Sequence, residues 1–280
     1  MSQRVLIHAH VFYPEMWEEL ADCIANVDLP FDLFVTTVCD IPELTEKIER
    51  HFANAKMIVC ENKGFDIAPF FKVLNGVDLD DYAYIVKLHS KRDFPFTMFI
   101  NGKDVCGTTW RDLLLSPLKS KENWQKTKDL LASSGTGMVA EGCLILNNLR
   151  DKTPRVFKKV KKHVCDLGLK PASTDFVAGT MFVGKAELFK CFQNKENLFD
   201  FSDSVRGQGD GLPYVCERLL GAVVSAQGCE IKALHDDMSI VKKRWFFSLI
   251  THFFFMKKVS SKKTLVKICK IPVFSRKREK

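Results

Sequence analysis

Three basic residues at alternate positions, Lys87, His89 and Lys91, stand at the end of the apolar run Tyr82–Ser90. Alternate residues of a strand share a face, so the face that begins at Ile85 turns cationic toward its carboxyl end. In open α/β sheets ligands sit beyond that end, and a cluster of cations there suits a phosphate or diphosphate. The plainer alternative is a strand emerging into solvent. A second candidate is Glu61–Pro69 (ENKGFDIAP). Gly64 permits a tight turn at positive φ, Asn62 can bond a ribose or base edge, and Asp66 can cap the next helix. Such a strand–glycine–helix junction favours nucleotide or phosphate contacts, although many β-α turns hold these residues for capping alone. A third candidate is Asp210, between Gly209 and Gly211 and just before an apolar helical pattern. It suits a general base for a bound hydroxyl or a plain helix cap. Glu217 falls on roughly the same helix face, with Arg218 beside it. In Phe176–Phe182, Gly179 would let backbone approach a ligand, but a core strand containing a glycine is the stronger reading.

Metal ligation has little support. Asp78-Leu79-Asp80 precedes the Tyr82–Ser90 strand, which puts it at the end of the sheet away from the expected crevice. His8 and His10 alternate on the first strand and could bind a metal, yet no carboxylate converges on them, so a core or pocket-lining role is expected.

The elements that must position these residues follow from hydrophobic patterning. Strands are expected at Arg4–Phe12, Phe31–Val38, Lys56–Glu61 and Tyr82–Ser90, with helices at Pro14–Ala25, Pro42–Phe52 and Asp66–Leu74 between them. This order predicts a mostly parallel sheet with helices on both faces. Further on, helices are expected at Thr109–Leu118, Lys121–Ala132, Pro154–Leu167 (basic and amphipathic), Ala186–Phe192 and Gly211–Leu220. Strands are expected at Met138–Leu146, Phe176–Val183, Ala222–Ala226 and Glu230–Leu234.

The charge is uneven. The chain of 280 residues carries a net +8, but residues 241–280 hold thirteen Lys and Arg against one acid, a net +12, which leaves residues 1–240 at −4. A body of that sign lacks the basic footprint of a general nucleic-acid binder. Two regions follow: a globular domain over 1–240 and a basic, aromatic-rich tail over 241–280. In the tail, Trp245–Met256 lies between Lys242-Lys243-Arg244 and Lys257-Lys258, a layout that suits an anionic membrane surface. A helix packed on the body with a basic end is the alternative. The run is too short for a spanning helix, and the N-terminus lacks a signal-peptide pattern. Ten cysteines without a Cys-x-x-Cys pair fit a reducing, cytoplasmic compartment. The expected location is therefore cytoplasmic, peripheral on the inner face of the cell membrane.

An ordered set of motifs over about residues 4–235 resembles the rhamnan synthesis protein F family of polysaccharide-biosynthesis glycosyltransferases: HVFYPEMWEEL, FDLFVTT, ENKGFDIAPFF, YIVKLHSKRD, WRDLLL, FVAGTMFVGK and GQGDGLPYVCERLLG. The resemblance implies a GT-A-like nucleotide-sugar transferase fold. It also implies transfer of a sugar, rhamnose from dTDP-rhamnose being favoured, to a lipid-linked glycan of the bacterial cell surface. The family pattern places His10, Asn62, Gly64, Asp66, Lys87, His89 and Lys91 on the donor side. It places Tyr13, Trp110, Arg111, Gly179, Met181 and Gln208 around the acceptor or pocket, and Asp210, Glu217 and Arg218 at the catalytic centre. Where a typical GT-A enzyme has a metal-binding DxD after the fourth strand, this sequence has Leu88-His89-Ser90-Lys91. No cofactor is therefore expected; cations would replace Mg²⁺ at the diphosphate, and one direct displacement would invert the anomeric carbon. Phe65 and Val183 depart from the family pattern and bear on sugar or base specificity. A non-catalytic glycan- or partner-binding module of an assembly complex is the competing class.

Overall fold

The computed structural model describes residues 4–93, 98–100, 103–147, 154–173, 175–202, 211–235, 255–259, 263–268 and 271–277. Strand β1 (Val5–His10) is buried at all six positions, as a strand covered on both faces and paired on both edges must be. It pairs in parallel with β2 (Phe31–Thr37), which pairs in parallel with β3 (Lys56–Val59). The next strand, β4 (Tyr84–His89), returns to the other side of β1, again parallel. The helices between them are α1 (Trp17–Ile24), α2 (Pro42–His51) and α3 (Ile67–Asn75). A short 3-10 turn, Pro14–Met16, leads into α1. In α2 only Leu44 and Ile48 are buried, one turn apart, so a narrow stripe docks it while the remaining polar residues face out. In α3, Phe70, Phe71 and Leu74 carry the core contact.

The second half is less regular. A hairpin of β5 (Met98–Ile100) and β6 (Lys103–Val105) precedes α4 (Gly107–Leu115) and α5 (Lys121–Ala132), whose Ser120 cap accepts from Asn123 N–H at 3.1 Å. The strand expected over Met138–Leu146 is two: β7 (Thr136–Ala140) and β8 (Ile145–Asn147), separated by a 3-10 turn. Helix α6 (Pro154–Asp166) follows. The strand expected over Phe176–Val183 is likewise two, β9 (Asp175–Val177) and β10 (Phe182–Lys185), because Gly179 and Thr180 both have positive φ, 83° and 57°, and turn the chain. β9 pairs with β8, while β10 runs antiparallel between β4 and β7. Ala186–Phe192 is a 3-10 rather than an α-helix.

The strand expected at Ala222–Ala226 does not exist. Helix α7 runs unbroken over Leu212–Ala226, through Gly221. That glycine is a contact point rather than a stop: a Cβ there would lie 2.3 Å from Asp175 O, so its absence lets α7 press onto β9. Strand β11 (Glu230–Ala233) closes the sheet, which reads β11-β7-β10-β4-β1-β2-β3 from edge to edge. The mostly parallel sheet flanked by helices is as expected, with β10 the inverted strand. Farther on, β12 (Phe255–Val259), β13 (Lys263–Ile268) and β14 (Ile271–Lys277) form an antiparallel sheet. Part of the stretch expected as a membrane-surface segment is thus in strands; residues 241–254 lie outside the described residues. Among the described residues no helix is long and apolar enough to cross a membrane.

Candidate functional site

The chain leaves β1 for β2 and β3 on one side and returns to β4 on the other, so the carboxyl ends of β1 and β4 flank the switch point at which open α/β sheets bind ligands. The register sets His8 beside Lys87 and His10 beside His89 across the two strands. Four basic side chains therefore line one patch of sheet. All are buried, Lys87 completely.

Asp66 answers them. It occupies the cap position of α3 but makes no cap hydrogen bond. Its carboxylate instead accepts from Lys87 Nζ and, at 2.5 Å, from Thr180 Oγ1. Lys87 Nζ also donates to Thr180 O at 3.1 Å and to Thr180 Oγ1 at 3.0 Å, so its three N–H groups have three acceptors. Burial pushes the Asp66 carboxyl up, but Lys87, His89 and the two hydrogen bonds outweigh it and hold it well below the usual carboxylate range. Burial draws Lys87 down, opposed by Asp66.

Thr36 Oγ1 lies 2.9 Å from both His8 Nε2 and His10 Nδ1. One hydroxyl can donate to one ring and accept from the other, which links the two imidazoles. Burial, reinforced by the neighbouring cations, pulls His10 down to about 4 against the pull of Asp66, and takes His8 well below its usual value. Both rings are neutral at neutral pH. His8 Nδ1 is buried with no partner among the described residues.

The turn at Gly179–Thr180 is clamped from several sides. His89 Nε2–H donates to Gly179 O at 2.8 Å, and Glu217 Oε1 accepts from Gly179 N–H at 2.8 Å. A Cβ on Gly179 would lie 2.6 Å from Leu114 and 3.1 Å from Trp110, and Met181 is buried beside it. Arg218 bonds Glu217 at 3.2 Å and Tyr214 O at 3.0 Å, with its guanidinium 4.6 Å from the Phe176 ring. Thr180 sits at positive φ, which costs a non-glycine residue on the order of 1–3 kcal/mol and persists only where its surroundings enforce it. Here Lys87 and Asp66 do so.

The structure thus brings together His10, Asp66, Lys87, His89, Gly179, Met181, Trp110, Glu217 and Arg218. Lys91, half-buried just past β4, forms no hydrogen bond or ion pair with the described residues. Tyr13 N–H donates to Ser90 Oγ, and its ring lies under Arg92 at 4.4 Å. Arg111 is held by Glu19 at 2.6 Å and by Asp93. Asn62 is exposed on the β3–α3 turn. Gly64, at φ 66°, leaves no room for a Cβ against Ala68 and Phe201, while the next residue, Phe65, stands out of the surface with Tyr214 at 6.2 Å. Asp78 caps its own turn through Asp80 N–H, before β4 and away from this centre. Gln208 and Asp210 lie outside the described residues.

A second polar cluster was not anticipated. Glu141, buried, follows β7; its carboxylate accepts from Ser116 Oγ at 2.8 Å and His235 Nδ1–H at 2.9 Å. His235 follows β11, so both residues stand at the same carboxyl end of the sheet's parallel strands as His10 and His89. The sequence did carry one signal: Glu141 is the lone charge in an apolar run. Among the described residues no group of three or more His, Cys, Asp and Glu could hold a metal ion.

Residues 1–132 match the model of the family described as Rhamnan synthesis protein F. The match takes in β1 through α5, and with them His10, Asp66, Lys87, His89, Lys91 and Arg111. Among curated proteins, two sequences of the uncharacterized protein WxcX from Xanthomonas campestris pv. campestris are similar, one 24% identical over 248 residues and the other 23% over 250. Each alignment covers 86% of this chain and 34% of the relative, so the chain spans about a third of the length of these relatives. Among solved structures, S. aureus TarS 1-349 shares 13% identity at a TM-score of 0.40, over 77% of this chain and 55% of that one. Glucosyl-3-phosphoglycerate synthase from Mycobacterium tuberculosis, in complex with Mn²⁺, UDP and glucosyl-3-phosphoglycerate, shares 11% at 0.38, over 99% and 90%. At such scores neither likeness carries a functional argument.

Proposed function

We propose that this chain is a glycosyltransferase of the GT-A type that moves a sugar from a nucleotide-sugar donor to a glycan acceptor in cell-surface polysaccharide synthesis. The observation that carries the proposal is the patch of basic side chains at the β1–β4 switch point, which lies wholly within the stretch matching the Rhamnan synthesis protein F model. A donor diphosphate would lie beyond the ends of β1 and β4. Lys91 meets it at the rim, while His89 and the buried Lys87 lie beneath and fix the Gly179–Thr180 turn. Asn62 and the projecting Phe65 ring face the nucleoside, and Asp66 holds the lysine that underlies it. Trp110 and Met181 shape the floor rather than touch sugar, since both are buried. Tyr13, Arg111 and Gln208 border the acceptor. Asp210 removes the acceptor proton, and Glu217 with Arg218 orders the turn below. The cations take the place of a divalent metal at the leaving diphosphate, and one displacement inverts the anomeric carbon. The donor favoured is dTDP-rhamnose and the acceptor a lipid-linked glycan, with the basic tail keeping the enzyme on the anionic inner face of the membrane.

The Asp210→Asn variant tests the assignment. It should bind dTDP-rhamnose as the native chain does and lose transfer; full turnover would overturn the role of Asp210. Complete, Mg²⁺-reversible loss of transfer in EDTA would overturn metal independence. A second reading, a non-catalytic glycan- or partner-binding module, gains from one observation: Lys87, His89 and Asp66 direct their bonds inward. Absence of both hydrolysis and transfer across a nucleotide-sugar panel would favour it.

A further inference from the structure

Helix α6 carries two opposed stripes. Val156, Val160 and Val164 recur at four-residue intervals and are buried, and the helix packs on α7. The ring of His163, on the buried side, stacks on Phe199 at 5.7 Å. On the outer side Arg155, Lys158, Lys159 and Lys162 recur at i, i+3, i+4 and i+7, so they share one face. Lys161 flanks them with its ammonium 4.4 Å from the Phe157 ring. All five cations are exposed. The only acid within the helix itself is Asp166, paired with Lys162 at 2.6 Å, and Lys159 also has a partner. The helix is about 20 Å long at 1.5 Å per residue. The preceding helix in the chain, α5, shows no such bias: its exposed Lys121 and Lys126 are interspersed with exposed Glu122 and Asp129.

We propose that the outer face of α6 is a docking surface for an anionic lipid bilayer. The helix carries five cations and one acid on a body, residues 1–240, whose net charge is −4. The patch is therefore local, and it gives the body a preferred orientation toward a flat negative surface. Four of the five cations are lysines, compact point charges suited to a field of headgroups, whereas recognition of nucleic acid draws on guanidinium forks and exposed stacking rings. The valine stripe is already buried in the protein, so nothing apolar on this face inserts. The attachment is electrostatic and screened by salt. Because α6 rests on α7, which supplies Glu217 and Arg218 to the clamped turn, the bilayer would lie against the layer that supports the candidate site. The inference stands independently of whether the chain transfers sugar.

Co-sedimentation of the full chain with phosphatidylcholine vesicles, with and without phosphatidylglycerol, tests it. The combined variant Lys158→Gln, Lys161→Gln, Lys162→Gln should partition onto the anionic vesicles roughly 100-fold more weakly, at about 1 kcal/mol per lysine. A control of equal charge, Lys47→Gln, Lys121→Gln, Lys126→Gln, should lose at most about threefold, its charges being scattered and screened. Native-like circular dichroism of both variants secures the comparison. Should the α6 variant not fold, the single variants Lys158→Gln and Lys162→Gln, each expected to weaken partition about fivefold, are the second measurement. Unchanged partition of the α6 variant, an equal loss in the control, equal binding to pure phosphatidylcholine, or tighter binding to duplex DNA than to the vesicles would each overturn the proposal.

Discussion

Two polar centres share the carboxyl end of the sheet's parallel strands and are built on opposite plans. At the β1–β4 switch point, Asp66, Lys87 and Thr180 close on one another, and a lysine with no exposed surface has every N–H matched. At the β7–β11 end, Glu141 is buried more deeply than Asp66, yet the side chain of its partner His235 is 42% exposed and opens toward solvent. The first centre is a strut: removing one member leaves a charge stranded in a dry interior. The second is a hinge between core and solvent, where water can replace what is lost. The difference teaches that the burial of a carboxylate does not by itself set its importance, since Glu141 is the more buried of the two; what matters is where the partner sits.

The largest expected effect is Asp66→Asn. It leaves Lys87 without its counter-charge and should cost about 3–5 kcal/mol, as breaking a buried ion pair does, read as a fall in the urea midpoint. The double variant Asp66→Asn, Lys87→Met should regain most of that loss; a double variant as unstable as the single one would show that the pair is not a strut.

Next is acid. His10 is held at about 4 in the folded chain, against an unfolded value near 6.5. Between these two pH values the unfolded chain binds the extra proton, so stability rises with pH across that window and falls as the solution is acidified. The contribution is about 3 kcal/mol. Urea titrations at several pH values read it, and His10→Gln should flatten the slope. An unchanged slope would place the acid sensitivity elsewhere.

At the other centre, Glu141→Gln should cost about 1–3 kcal/mol, because Ser116 and His235 lose a charged acceptor while water still reaches the histidine. His235→Gln should cost less than about 1 kcal/mol, in the range of exposed pairs. If thermal melts place His235→Gln level with Asp66→Asn, the contrast between the two centres fails.

The same contrast governs what could be read from the sequence. The β1 to β4 half was legible because its strands and helices alternate with short turns, and apolar period alone marks them. The alternation that put Lys87 and His89 on one face also held in the structure. Their burial was not legible: the carboxylate that permits it comes from Asp66, twenty-one residues away, and the clamp from Thr180, farther still. Both lie in segments read for a helix cap and for a core strand. In the second half, Gly179 and Thr180 break one apolar run into two strands of different sheets, and Gly221 interrupts none. Only the packing distinguishes those glycines, since one sits at positive φ and the other against a neighbouring backbone. His235 follows a short edge strand with nothing in its own neighbourhood to announce Glu141.

The central claim is that a nucleotide diphosphate sits beyond β1 and β4 with Lys91 at its rim. Calorimetric titration of the full chain with dTDP-rhamnose tests it most directly. The account predicts saturable one-to-one binding that weakens at least about tenfold in Lys91→Ala, a loss of about 1.4 kcal/mol, and is unaffected by Lys121→Ala on the outer face of α5. Equal affinity in the native chain and Lys91→Ala, or no binding of this or any other nucleotide-sugar, would contradict it.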